Sequence, residues 1–327
     1  MGASRHRRDR VHREGGPAPA QGGNGRDGPH AARVPDGGRG ESIGMAGVDL
    51  HSHTTASDGA LAPRDLVRLA VRHGVRVLAI TDHDSTDGIP EALEEAARHP
   101  PLTIVPGLEI NCDVSDAAGR TTEVHVLGYF VRYEEPWFQE FLREQRVERV
   151  ARVHRIAERL AELGMPIDPA EVFALVQEGS PGRPHVAQVM VNHGYVKSIR
   201  DAFDRYLHAN GPANVPRKRL TPEDAIRVIR KAGGVPVLAH PGVADRDDMI
   251  PGLIEAGLGG IEAYYAEHSA VQAATYVETC RTHGLVATGG SDYHGTQTGR
   301  LHPPGTPSVP MAAWEALKQA AARAANA

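Results

Sequence analysis

The 327-residue chain reads as an α/β protein of about seven strand–helix units, interrupted by one all-helical block. Two observations carry that reading. Short apolar runs recur along the chain with amphipathic helical stretches between most of them, and the runs are apolar throughout, as strands of a parallel sheet covered on both faces are. The helical block is the exception, because from Pro136 to about Pro216 no strand-like run occurs.

Taken in order, residues 1–44 are rich in Gly, Arg, Pro and His and nearly free of large apolar side chains. Such a segment cannot offset the entropy of ordering, and a disordered tail is expected. Strands are expected at 47–52, then at VRVLAIT (75–81), LTIVPGLEI (102–110), EVHVLGYF (123–130), VPVLAH (235–240), GGIEAYY (259–265) and LVATGG (285–290). The segments PRDLVRLAVRHG, IPEALEEAARH, PEDAIRVIRKAGG and HSAVQAATYVETCRTHG repeat apolar residues near a period of 3.6. Several open on Pro and most close at Gly, as helices do. Seven units suit a barrel at least as well as an open sheet. The helical block begins WFQEFLREQRVERVARVHRIAERLAELG, in which Phe141, Val150, Val153, Ala157 and Leu160 form an apolar stripe and the arginines a solvated face. The expected organisation is a tail (1–44), a barrel (45–135 and 217–327) and a helical insertion (136–216).

Bulk properties narrow the function. A net charge of −5 argues against wrapping duplex DNA, while leaving room for a local basic pocket. Neither an apolar run of about 18 residues nor a signal-peptide pattern occurs, so a cytoplasmic protein without a membrane span is expected. Cys112 and Cys280 lack CxxC spacing and read as small core residues.

The chemistry begins at VDLHSHTTASDG (48–59). Alternate residues of a strand share a face, so Asp49, His51 and His53 point the same way, a costly arrangement to bury unless something binds them. Metal-binding residue types recur at the ends of the other apolar runs: His83, Glu109, His125, His240, Asp292 and His294, with Asp58 in the loop after the first strand. In parallel βα folds the carboxyl ends of the strands line one face and assemble sites from distant residues. Imidazoles and carboxylates without thiolates suit Mn²⁺, Fe²⁺ or Zn²⁺. Nine ligands are too many for one ion, so two or three are expected, with Glu109 as a bridge. Asp49, Asp82 and Asp84 are expected to accept the far N–H of ligand imidazoles.

The motifs HSHTTASDG, TDHDS, GLEI, HVLGY, AHPG and GSDYHG, in this order from Val48 to His294, resemble the PHP (polymerase and histidinol phosphatase) phosphoesterases. The resemblance implies a distorted (β/α)₇ barrel with an inserted all-α domain and a trinuclear site. His51, His53, Glu109 and Asp292 would hold one ion, Glu109, His125 and His240 a second, and Asp58, His83 and His294 a third. It further implies a nucleotide-directed hydrolase, with a 3',5'-nucleotide bisphosphate such as pAp as substrate. The alternatives are a 5'-to-3' exoribonuclease on short RNA, a histidinol phosphate phosphatase and a non-catalytic metal-binding scaffold. Two ions can acidify a shared water into a nucleophile, which makes His51, His53, Glu109, His240 and Asp292 the catalytic set through metal-bound hydroxide. Arg183 and His185, at the start of a helix in GSPGRPHVAQ, are candidates for substrate phosphate. Tyr264 and His268 are candidates for phosphate or base, and Arg217, Lys218 and Arg219 read as a hinge.

Overall fold

The computed structural model describes residues 47–115, 121–176, 179–215, 220–296 and 302–325. The tail, residues 217–219 and the exact end of the helical block lie outside these. Seven strands form one sheet in sequence order: β1 (Gly47–Asp49), β2 (Val75–Ile80), β3 (Thr103–Ser115), β4 (Thr121–Tyr129), β5 (Val235–Leu238), β6 (Gly260–Tyr265) and β7 (Val286–Gly290). The outer strands meet through Leu50 N–H to Gly289 O (3.0 Å), Asp292 N–H to His51 O (2.8 Å) and His53 N–H to Tyr293 O (3.0 Å), which nearly closes the sheet into a barrel.

Every expected strand is present, but the sheet is mixed. β4 runs antiparallel to both β3 and β5. Only residues 116–120 separate β3 from β4, too few for the crossover helix that a parallel neighbour needs.

Helices α1 (Pro63–Arg72) and α2 (Ile89–Ala96) cover β2 and β3, and α7 (Pro222–Lys231), α9 (Ile250–Glu255) and α10 (Ala270–His283) cover β4 to β7. Most start on Pro. α7 and α10 carry capping boxes, Thr221 with Asp224 and Ser269 with Gln272, and α10 ends at Gly284 in the left-handed conformation. Alternate residues of the strands, among them Val48, Val77, Leu127, Tyr129 and Val237, join Trp314 and Leu317 of α11 (Met311–Ala324) in one core. Cys112 and Cys280 are buried free thiols.

Between β4 and β5 stand α3 (Pro136–Glu162), α4 (Pro169–Ala174), α5 (Arg183–Asn192), α6 (Ile199–Ala202) and a π-helical turn, Phe203–Leu207. Phe138 and Leu142 of α3 pack into the barrel's outer core, whereas Val153, Ile156 and Leu160 enter a separate core shared with α4, α5 and α6. The face of α3 differs from expectation: Val150 is exposed, while Arg149 and Arg152 are buried. No described helix is long and apolar enough to cross a membrane.

The seam between β1 and β7 tolerates no side chain at Gly290, where a Cβ would sit 2.4 Å from His51 N. Gly290→Ala is expected to destabilise the protein by about 1–3 kcal/mol, as overpacked sites do, and to shift His51. A urea midpoint equal to that of the unaltered protein refutes this.

Candidate metal centre

All nine candidate ligands converge at the barrel mouth. They fall into overlapping groups whose ligand atoms lie within 4.8 Å of one another: His53, Asp58, His83 and His294; His51, His53 and Glu109; His51, His240 and Asp292; and His83, Glu109 and His125. Local geometry explains how the strand ends deliver them. Asp84, His240 and Asp292 adopt positive φ (48°, 26° and 49°), turning the chain sharply beyond β2, β5 and β7. Such backbone costs roughly 1–3 kcal/mol per residue and persists where the surroundings dictate it.

Glu109 is the centre of the cluster. Its Oε1 lies 2.9 Å from His125 Nδ1 and 3.1 Å from His240 Nε2. Its Oε2 lies 3.0 Å from His83 Nδ1, 3.3 Å from His53 Nε2 and 3.4 Å from His51 Nε2. Burial raises the Glu109 carboxyl, and the surrounding His125, His83 and His51 more than reverse that, holding it well below the usual range.

The donor set fits divalent cations. His51 Nε2 and His53 Nε2 face each other at 3.2 Å, and Asp292 Oδ1 lies 3.5 and 3.3 Å from the same two atoms. Lone pairs gathered this closely repel unless a proton or cation lies among them. Asp58 Oδ1 and His83 Nδ1 are buried and make no hydrogen bond among the described residues, although each lies within 3.3 Å of an ionisable partner.

Without ions, protons serve in that role unevenly. Burial lowers His51, but Glu262 and Glu109 outweigh it and push the imidazole up to about 10. His125 rises to about 9 because Glu109 and Glu123 outweigh its burial. Burial and the neighbouring His294 take His53 down to about 4, and burial depresses His83 and His240.

The carboxylates that orient the candidate ligands are not the expected ones. Asp49 accepts the backbone N–H groups of His51, Ser291 and Gly305 (3.2, 2.9 and 2.8 Å). Asp82 takes Thr54 N–H, Thr54 Oγ1 and Ser57 Oγ, and Asp84 pairs with Arg149 Nε at 2.7 Å. They brace the loops that carry the histidines. The imidazoles are held by Glu262, 3.0 Å from His51 Nδ1, and Glu123, 3.1 Å from His125 Nε2, while His294 Nδ1 lies 2.9 Å from Asp292 O. Glu262 also accepts the His240 N–H at 2.8 Å, so one buried carboxylate fixes two candidate ligands. Glu262→Ala is therefore expected to weaken metal binding about 10–100-fold. Competition against a coloured chelator measures this, and unchanged affinity refutes it.

Beyond the cluster opens a cavity of about 840 Å³, walled on one side by Asp58, His83, His125 and His294 and on the other by residues of α3, α5 and α6. Arg183 stands on its wall as the first residue of α5, paired with Glu123 and donating to Leu207 O at 2.9 Å. Arg149 and Arg152 line it as well. His185 Nδ1 accepts the Gly182 N–H, which tightens the turn into α5. Tyr264 and His268 are placed differently. Tyr264 packs against the core, and His268 uses both ring nitrogens internally, Nε2 accepting Gly242 N–H (3.2 Å) and Nδ1 bonding Ala263 O (3.1 Å).

A nearly closed α/β barrel with clustered imidazoles and carboxylates at its mouth defines a metal-dependent hydrolase. The PHP domain matches residues 49–167. The 5'-3' exoribonuclease Rnm of Salmonella typhimurium is 38% identical over 259 residues, covering 75% of this chain and 84% of that protein. The 3',5'-nucleoside bisphosphate phosphatase of Chromobacterium violaceum is 34% identical over 295 residues, 86% of this chain and 100% of that protein. A solved structure from Bifidobacterium adolescentis, assigned as a metal-dependent phosphoesterase, superposes with a TM-score of 0.75 at 29% identity over 85% of this chain and 97% of that one. The chain belongs to the PHP family of metal-dependent phosphoesterases.

Proposed function

We propose that this phosphoesterase removes the 3'-phosphate of nucleotide 3',5'-bisphosphates such as pAp, using two or three Mn²⁺, Fe²⁺ or Zn²⁺ ions held by His51, His53, Asp58, His83, Glu109, His125, His240, Asp292 and His294. The observation that carries this is the convergence of these nine side chains on one cluster, four of which, Asp58, His83, His125 and His294, line a cavity whose opposite wall presents Arg183. The bisphosphate phosphatase relative, matched over its whole length, supports the choice of substrate. Divalent ions held there would acidify a water into a nucleophile and withdraw charge from the phosphoryl oxygens.

The protein's own groups do the rest. Glu109 spans the cluster with both oxygens, and Glu262 keeps the His51 Nδ1 side engaged so that Nε2 faces the centre. Arg183 offers its guanidinium to the substrate's other phosphate, a geometry lysine does not reproduce. The helices of 136–216 act as an insertion domain that supplies this wall and keeps bulk water from the reacting phosphate.

A second reading, trimming of short RNA from its 5' end, is favoured by the cavity volume. At about 840 Å³ it lies high in the roughly 300–1,000 Å³ range of small-ligand sites, leaving room for more than one nucleotide. Phosphate release from pAp and mononucleotide release from a short 5'-phosphorylated RNA, compared with Mn²⁺ supplied, test both. Faster attack on pAp upholds the first reading. Comparable or faster RNA trimming puts the second ahead, and inertness to both overturns each.

A further inference from the structure

Glu123 lies early in β4, on the wall shared by the cluster and the cavity, and its two oxygens work in opposite directions. Oε1 accepts from Asn111 Nδ2 at 2.9 Å and faces His125 Nε2 at 3.1 Å. Oε2 pairs with Arg183 of α5 and lies 4.0 Å from Arg152 of α3. Asn111 is itself held, since Arg149 of α3 donates to its Oδ1 at 2.6 Å, which turns Nδ2 to Glu123 Oε1 and also brings it within 2.8 Å of His125 Nε2. On its far side His125 turns Nδ1 to Glu109 Oε1 at 2.9 Å. An ion held at Nδ1 requires the imidazole proton on Nε2, where Glu123 Oε1 at 3.1 Å is the acceptor and the Asn111 amide, 2.8 Å away, must yield to it.

A carboxylate only 14% exposed, in a cavity built for a phosphate ester, is an odd choice. It repels the substrate, and buried ion pairs add little net stability over apolar packing. Its contacts supply a reason. One oxygen reaches the barrel's candidate ligand, and the other reaches arginines that only the inserted helices supply.

We propose that Glu123 is a positioning residue joining the two halves of the site: it fixes the tautomer of His125 for the metal centre and aims Arg183 at the substrate's remote anion. The proposal rests on the phosphoesterase reading given above and adds that ion binding and remote-anion binding depend on the same carboxylate. Removing Glu123 must then damage both, whereas removing Arg183 must damage one.

The test uses the full-length chain as Glu123→Ala, Arg183→Ala and the double variant, with far-UV circular dichroism confirming the fold. Mn²⁺ affinity is read by chelator competition, independently of turnover, and kcat and KM for pAp are read at saturating Mn²⁺. Glu123→Ala is expected to weaken Mn²⁺ binding about 10–100-fold and to raise KM about tenfold, near the value for Arg183→Ala. Arg183→Ala is expected to keep wild-type Mn²⁺ affinity, and the double variant to have a KM no worse than Arg183→Ala alone, as partners in one interaction behave.

Unchanged Mn²⁺ affinity in Glu123→Ala, unchanged KM at saturating Mn²⁺, or additive KM effects each overturn the proposal. If Glu123→Ala misfolds, Glu123→Gln makes the comparison: its amide oxygen still accepts from His125, so KM is expected to rise with Mn²⁺ affinity largely kept. Wild-type KM in Glu123→Gln overturns the proposal too. A wild-type protein inert toward every phosphate ester would instead overturn the reading on which the Arg183 half depends, a result separable from failure of the variants alone.

Discussion

Glu109→Ala is expected to lower kcat on the order of 10⁴-fold, equivalent to about 5 kcal/mol of lost transition-state stabilisation. The magnitude follows from its position, since its two oxygens lie within 3.4 Å of ring nitrogens on five histidines. No neighbouring carboxylate touches so many. Asp292→Ala and His240→Ala are expected to abolish turnover similarly, each at one edge of the cluster and with the fold retained. Metal content by elemental analysis, beside single-turnover rates at saturating Mn²⁺, provides the measurement. A Glu109→Ala protein within tenfold of wild type would remove Glu109 from the centre of the mechanism.

The second large effect is a pH-dependent competition between protons and metal. Without ions His51 and His125 titrate near 10 and 9, so both are protonated at neutral pH. Their protons are held more tightly in the folded chain than at the unfolded value of about 6.5. Their contribution to the stability of the metal-free protein is therefore complete below pH 6.5 and is lost as pH rises through about 9 and then about 10. Ions must displace these protons, so apparent affinity rises about tenfold per displaced proton per pH unit between pH 6.5 and 9. Thermal melts with and without a chelator at pH 6.5 and pH 9 are expected to show a gap that widens at the higher pH. A constant or narrowing gap would show that the two histidines do not lose protons on loading.

Much of this was legible in the sequence, for a reason visible in particular residues. Several apolar strands end abruptly in a polar group, as in VRVLAITDH or VPVLAHPG, and the parallel arrangement of those strands carries such ends to one place. The expected parallel direction fails at β4, where a five-residue connection forces a hairpin, and that brevity is itself a readable sign. Glu262 escaped notice because it interrupts an apolar run, GGIEAYY, in which its inward orientation cannot be told from an outward one. The parts of Asp49, Asp82 and Asp84 differ from expectation because adjacency in sequence does not reveal which imidazole edge a carboxylate can reach. Arg149 and Arg152 were hidden in a different manner. On an isolated helix they belong to the charged face, and only acceptors from distant segments, Asp84, Asn111 and Val215 O, make burying them tolerable.

The continuity of α3 has a mechanical meaning. Its 27 residues span roughly 40 Å at 1.5 Å each, gripping the barrel by Phe138 and Leu142 and the helical core by Val153, Ile156 and Leu160. Arg149 and Arg152 stand between those two grips, so their heading is set by the winding of the helix that joins them. One residue inserted between Leu142 and Arg149 rotates everything beyond it by about 100°. Both cores would keep their sequences while the arginines swung away from the mouth. Two full turns, about seven residues, nearly restore the heading, so descendants of this chain are free to change the length of α3 in steps of a heptad and in few other ways.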